Sequence, residues 1–336
     1  MAVYTVIERS SLEQMLGIYD VEPLSHYEGI AAGSTNTSYR VRCGAQILYL
    51  RINEHKSFGD LLHERNLLQK LSRGASRFAS VETPRILENC IRGHFFPLHG
   101  RWACLFPELQ GREVATFELT PLHLFQVGAF LARAHGWLRR FRGGRANPNS
   151  LRAVSSWFPR LEREWSEKSV LPRFARALTF IRAHRRPLPR SVVHGDLFPN
   201  NTKWRGGELT AVFDWEMAGR DHMMLDLGIC LNAWCYQRES QRFREDLVEG
   251  LLRGYTGVRA LQPSERRGLY LESCFAALRF AVSRIRDLEL PRPNALGKTS
   301  PHDEVSRDYL DYREYEARLD ELLVLGRRGF RRWLPW

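Results

Sequence analysis

No run of about 18 apolar residues occurs in this chain, so no segment is long enough to cross a bilayer as a helix. Its first residues lack a basic stretch followed by an apolar one, and no secretory leader is expected. Cysteine is sparse. Cys43, Cys90, Cys104, Cys230, Cys235 and Cys274 stand apart in apolar surroundings, with no C-x-x-C pair and no histidine-rich cluster. That distribution argues against disulfides and zinc and for reduced thiols. Internal repeats and low-complexity tracts are also missing. These absences predict a soluble, cytoplasmic protein, and 336 residues of which 43% are hydrophobic suffice for a large core.

What is present is the run His194-Gly-Asp-Leu-Phe-Pro-Asn-Asn201, followed thirteen residues after Asn201 by Asp214 in Val-Phe-Asp-Trp-Glu. Ser191-Val-Val193 before the run reads as a short strand. Leu209 to Phe213 reads as another, entered from the turn Arg205-Gly-Gly207. Isolated Asp and Gly are mostly turn residues. Here an Asp and an Asn five apart, with a second Asp at a strand end, match the needs of phosphoryl transfer. That chemistry asks the protein to orient a hydroxyl and neutralise phosphate charge. Asp196 would accept the hydroxyl proton, and Asn201 and Asp214 would offer oxygens to Mg²⁺ beside ATP.

His194-Gly-Asp196, Asn201 and Asp214 resemble the motif of the aminoglycoside phosphotransferase and choline kinase superfamily, small-molecule relatives of protein kinases. Met1-Ala-Val-Tyr-Thr5, Tyr19-Asp-Val21, Gly29-Ile-Ala31, Asp196-Leu-Phe198, Ile229-Cys-Leu-Asn-Ala-Trp-Cys235 and Ala277-Leu-Arg-Phe280 further resemble the bacterial type II homoserine kinases. The resemblance implies a two-lobed, protein-kinase-like α+β fold. A small N-lobe over 1–106 would hold an antiparallel sheet and a helix, and a larger, mainly helical C-lobe would span 107–336. It also implies transfer of the ATP γ-phosphate to L-homoserine. The chain departs from the family at Asp214-Trp-Glu-Met-Ala218, where Asp-Phe-Tyr-Phe-Ala is common, and Glu216 adds a negative charge. An aminoglycoside, choline or another amino alcohol therefore stays open as acceptor, as does a binding protein without turnover.

In the N-terminal part, Ser10-Ser-Leu-Glu13 fits a capping box opening a helix that ends near Tyr19. Alternating runs over Leu24 to Ile30, Thr37 to Cys43 and Gln46 to Ile52 predict three antiparallel strands. Gly29 to Asn36 would cover the phosphates, with Gly33, Ser34 and Asn36 letting backbone and side-chain donors approach an anion. Arg51 on the third strand stands where the kinase template has a phosphate-holding Lys, and guanidinium is a planar fork where ammonium is a point charge. Its expected partner is Glu64, in a helix with Leu61, Leu67, Leu68 and Leu71 on its buried face. Pro84 to Glu88 and Arg101 to Phe106 would complete the sheet. Pro107 to Gly111 resembles the linker between lobes, where backbone groups of Phe106 to Leu109 would read the adenine edge.

Thr120 and Pro121 predict a helix start, with Leu124, Val127, Phe130, Leu131 and Ala134 spaced for its buried face. A second helix is expected over Leu171 to His184. Asp226, at another helix start, would brace the catalytic loop together with His194. A homoserine acceptor needs a cation for its carboxylate and an acceptor for its ammonium group. Arg279 and Arg284 are candidates for the first, Asn232 and Asp226 for the second. Pro291 to Pro301 reads as a mobile loop and Asp303 to Phe330 as helical.

The net charge of +12 fits either a nucleic-acid surface or a solvated, Arg-rich exterior with a cleft that attracts ATP. Basic residues are spread along the chain. The densest cluster, Arg139-Arg-Phe-Arg-Gly-Gly-Arg145, follows a predicted helix end whose partial charge it offsets. The partner expected is a small molecule, with neither nucleic acid nor membrane, and nothing in the chain indicates an oligomeric state.

Overall fold

A computed structural model describes residues 4–30, 36–290 and 311–335. They fall into two compact units, one built from 4–30, 36–72 and 83–109, the other from 73–82, 110–290 and 311–335.

The first unit is a five-stranded antiparallel sheet with two helices. Helix α1 (Arg9–Leu16) precedes strands β1 (Leu24–Ile30), β2 (Thr37–Cys43) and β3 (Gln46–Asn53), and α2 (Phe58–Ser72) follows them. Strands β4 (Phe96–Leu98) and β5 (Arg101–Pro107) finish the sheet in the order β1-β2-β3-β5-β4. Alternation sets the pairing. Tyr39, Val41 and Cys43 of β2 and Leu48, Leu50 and Ile52 of β3 bury one face against Leu12, Met15 and Leu16 of α1. The tight β2–β3 turn at Gly44, with φ +55°, fixes the register that puts Arg51 opposite Ser38 and Cys104.

Two expectations fail here. The capping box does not form, because Glu13 pairs with Arg9 at 2.8 Å and the helix starts at Arg9, placing Ser10 inside its first turn. Pro84 to Glu88 is not a strand. It has one bond to the neighbouring sheet, Leu87 N–H to the Leu105 carbonyl at 2.9 Å, and the edge is Phe96–Leu98. Gly33 and Ser34, expected over the phosphates, lie outside the described residues, as does the loop over 291–301.

The second unit is mostly helical. Its helices are α3 (Pro121–Leu138), α4 (Leu151–Glu164), α5 (Leu171–His184), α6 (Met223–Trp234), α7 (Glu245–Val258), α8 (Pro263–Arg284) and α9 (Tyr312–Phe330). Between α5 and α6 run β6 (Arg190–Val193), β7 (Thr202–Arg205), β8 (Glu208–Val212) and β9 (Gly219–His222), paired as β6 with β9 and β7 with β8. Thr120 caps α3 and Pro121 opens it. Gly228 lets α6 and α8 touch: a Cβ there would stand 2.7 Å from the Glu272 carbonyl. Segment Arg73–Glu82 joins this unit through bonds from the Glu82 N–H to Thr210 and from the Val212 N–H to Glu82. Among the described residues no helix is long and apolar enough to cross a membrane.

Candidate active site

Asp226 is fully buried in the first turn of α6 and holds the loop that follows β6. Its carboxylate accepts the N–H groups of His194 at 2.7 Å and Gly195 at 2.9 Å, and His135 Nε2 lies 2.9 Å away. The other His135 nitrogen meets the Tyr255 hydroxyl at 2.9 Å, so α3, α6 and α7 converge on one carboxylate. Burial by itself would raise the Asp226 pKa. The bond and charge of His135, with help from Gly195, outweigh it and hold the carboxyl below its ordinary value. With its oxygens committed inside the loop, Asp226 is not free to meet an acceptor's ammonium group, which corrects that part of the expectation.

The loop itself needs Gly195. Its φ is +78°, and a Cβ would come within 3.0 Å of the Met217 carbonyl. His194 is buried, its Nδ1 takes the Asp196 N–H at 3.3 Å, and its Nε2 donates to the Phe213 carbonyl at 2.9 Å. Burial lowers its pKa, so the ring is neutral at pH 7 and both nitrogens are occupied in support. The Asn201 amide nitrogen donates to the Asp196 carbonyl at 2.8 Å, while the Asn201 carbonyl accepts the Phe213 N–H at 3.0 Å. The peptide groups flanking Phe213 are thus gripped from both sides by the loop.

Asp214 follows directly, in the left-handed region at φ 62°, ψ 59°. A non-glycine residue is uncommon there and such strain clusters at functional sites. The turn after it is pinned by Arg145, whose guanidinium donates to the carbonyls of Glu216 at 2.5 Å and Ala218 at 3.4 Å, and by Trp215 Nε1 on the Val212 carbonyl at 3.2 Å. Asn201, with its nitrogen used on the Asp196 carbonyl, keeps Oδ1 as its acceptor atom, and Asp214 carries a carboxylate. Both are hard oxygen donors of the kind Mg²⁺ takes. No group of three His, Cys, Asp or Glu side chains that could hold a metal gathers among the described residues.

On α8, Arg279 is buried with Nη1 3.8 Å from Asp196 Oδ1 and its guanidinium 3.9 Å over the Phe280 ring. Phe280 meets Phe198 of the loop edge-on at 5.0 Å, tying helix to loop. Arg284, one turn on, sits 5.7 Å from the Phe280 ring and 6.0 Å from that of Tyr315. The Asn232 amide nitrogen bridges α6 and α8 by donating to the carbonyls of Gly228 at 2.7 Å and Ser273 at 3.0 Å, while Oδ1, the atom an ammonium group would need, is buried with no hydrogen-bond partner among the described residues.

Within the first unit, Arg51 donates to both oxygens of Glu64 at 3.0 and 2.9 Å, and Lys56 reaches the same carboxylate at 3.1 Å. Burial favours the neutral acid. The charges of Arg51 and Lys56 outweigh it and bring the Glu64 pKa down to about 2. Phe106 lies opposite Tyr49 in β5 with the Arg51 guanidinium 4.9 Å over its ring, Leu109 follows the strand end, and Asn36 immediately precedes β2. Sequence reasoning missed Lys56, His135, Tyr255 and Arg145. Only Lys56, a cation five residues past Arg51, had a local signal.

A small sheet unit bearing an Arg–Glu pair and a helical unit bearing a braced Asp/Asn/Asp set define a kinase-like phosphotransferase. Residues 26–261 match the phosphotransferase enzyme family, and the chain belongs to that family as a small-molecule kinase. Among its relatives, the homoserine kinase of Chelativorans sp. is 32% identical over 327 residues, covering 90% of this chain and 92% of that one. The homoserine kinase of Polaromonas naphthalenivorans is 33% identical over 313 residues, with 90% and 94% covered. These bear out the resemblance seen in the motifs. Among solved structures, an amicoumacin kinase in complex with AMP-PNP, Ca²⁺ and Ami aligns with TM-score 0.68 at 14% identity, covering 98% of this chain and 96% of that one. A microcompartment-associated aminopropanol kinase aligns at 0.65 and 16%, with 94% of each covered. The fold is the protein-kinase-like one expected.

Proposed function

We propose that this protein is an ATP- and Mg²⁺-dependent kinase of L-homoserine, acting in the cytoplasm and forming O-phospho-L-homoserine on the route to threonine. The observation that carries the reading is the bonding of Asn201 to Asp196 and of the Phe213 peptides to both His194 and Asn201, which sets one candidate base and two candidate metal ligands in a rigid frame. The identity to curated homoserine kinases over nine-tenths of the chain supports the choice of acceptor.

In this reading Asp196 orients the acceptor hydroxyl and takes its proton as phosphate transfer proceeds. Asn201 and Asp214 would hold Mg²⁺, which when bound offsets charge on the phosphate oxygens. Arg51, fixed in plane by Glu64, would meet the α- and β-phosphates of ATP, with Lys56 beside it and backbone groups between Phe106 and Leu109 at the adenine.

The test is ADP release from Mg-ATP with L-homoserine, choline, 3-amino-1-propanol and an aminoglycoside as acceptors. Homoserine is expected to give the highest kcat/KM. A higher value for another acceptor would overturn the substrate, and equal turnover by Asp196→Asn would overturn the base.

A further inference from the structure

One guanidinium on α8 is not explained by the packing around it. Arg279 is 4% exposed, and its Nη1 atom, closed off from solvent, makes no hydrogen bond among the described residues. The carboxylate it faces is that of Asp196, 3.8 Å from Oδ1, close enough to attract and too far to bond. Burial lowers the Arg279 pKa to about 10 against the pull of Asp196, and the positive charges of Arg284 and Arg286 act in the same direction as burial. The group remains a cation at neutral pH.

Buried charges persist in proteins when a partner meets them, and a donor without one calls for an explanation. Neighbouring arginines do not supply it. Arg286 is bound to Asp287 at 2.6 and 2.7 Å, and Arg284 is itself positive. The fork is also held still. Its central carbon lies 3.9 Å from the centre of the Phe280 ring, which stacks on Tyr315 at 5.0 Å and 24° and meets Phe198 of the Asp196 loop edge-on. A fixed cation with an unused donor therefore shares one frame with the residue that faces the acceptor hydroxyl. An anion carried by the acceptor can meet Arg279 while its hydroxyl meets Asp196, since three carbons separate the hydroxyl of homoserine from its carboxylate.

We infer that Arg279 binds the carboxylate of the acceptor and restricts this kinase to hydroxy acids, excluding amino alcohols of the same length. The inference rests on the reading of Asp196 as the base. It adds a specificity-determining role that the catalytic motif does not contain.

L-Homoserine and 3-amino-1-propanol differ only by the carboxylate and make a matched pair. Arg279→Met keeps length and removes the charge, and Arg279→Lys keeps charge and loses the fork. The Met variant is expected to raise the homoserine KM by about 10- to 100-fold, the scale of a lost charge-assisted hydrogen bond. The ratio of kcat/KM for homoserine over 3-amino-1-propanol should fall by a similar factor, with partial recovery in the Lys variant. Homoserine should stop raising the melting temperature of the Met variant. Its ligand-free melting temperature should change little, because Arg279 Nη1 makes no hydrogen bond and its contact with Asp196 is a loose one at 3.8 Å.

Parallel losses for both acceptors would make Arg279 a positioning residue for Asp196 and overturn the inference. An unchanged ratio with a lower ligand-free melting temperature would make it structural and do the same. If the Met variant does not fold, the Lys variant carries the comparison. A wild-type enzyme preferring 3-amino-1-propanol would overturn the role of Arg279 and leave the kinase standing. Turnover of neither acceptor would remove the substrate reading beneath it.

Discussion

His194 donates from Nε2 to the Phe213 carbonyl at 2.9 Å, and this bond ties the loop that carries Asp196 to the strand end that carries Asp214. The bond needs a neutral ring, because the other nitrogen accepts the Asp196 N–H. Burial keeps the His194 pKa below 6.5 in the folded state, so the unfolded chain takes up this proton first as the pH falls. The stability His194 contributes is complete above pH 6.5 and declines as the pH drops below it. The melting temperature is expected to fall as the pH drops below 6.5, and His194→Gln should show a shallower fall from a lower starting point. Identical slopes for the two proteins would refute the assignment.

Asp226 joins three helices to the catalytic loop without reaching the chemistry itself. Asp226→Asn places an amide nitrogen against backbone N–H groups or against His135, so at least one buried donor loses its acceptor. A loss of about 3 to 5 kcal/mol is expected, the range for breaking a buried pair. Denaturant titration should report it as a lower midpoint, with kcat falling and the ATP KM little changed. A variant as stable as wild type would show that His135 and the loop do not depend on this carboxylate.

How much of this was legible in the sequence depends on how local each interaction is. Strands β1 to β3 were read to within a residue because alternation and the Gly44 turn are local signals. Thr120 and Pro121 marked α3 in the same way. The spacing of Asp196, Asn201 and Asp214 was visible because one loop and one hairpin carry all three. His135 was not, since its partners Asp226 and Tyr255 lie 91 and 120 residues away and a lone histidine on an apolar helix looks like any core residue. The bonds of the Asn232 amide nitrogen were equally hidden, since the two carbonyls it reaches come near it only through the packing of α6 on α8. The mistaken strand over Pro84 to Glu88 shows apolar composition without the pairing partner that makes a strand.

Arg51 and Glu64 form a bidentate pair with Lys56 on the same carboxylate. Because the Glu64 pKa is lowered from 4.5 to about 2, its stabilising contribution is complete above pH 4.5 and is lost as the pH falls toward 2. Glu64→Gln should remove that part of the acid transition in a melting series. Arg51→Lys keeps a cation and loses the second hydrogen bond, so an ATP KM about 10-fold higher is expected with a smaller change in kcat. An unaltered ATP KM in Arg51→Lys would mean that Lys56 holds the phosphates and that Arg51 serves only to place Glu64.

Asp214 couples two demands, a left-handed backbone and a carboxylate, and single substitutions separate them. Asn tolerates the φ of 62° as Asp does, so Asp214→Asn should keep the melting temperature while raising the Mg²⁺ concentration needed for half-maximal ATP-dependent protection against unfolding. Asp214→Gly relieves the backbone and loses the ligand, so it should be at least as stable without ligands and equally deficient in Mg²⁺ dependence. Asp214→Val adds a β-branched side chain where φ is positive and should cost about 1 to 3 kcal/mol besides. Melting curves of the three variants, with and without Mg-ATP, distinguish strain from ligation. If Asn and Gly both respond to Mg-ATP as wild type does, the metal is held elsewhere and the strained backbone at Asp214 serves only to shape the turn that Arg145 pins.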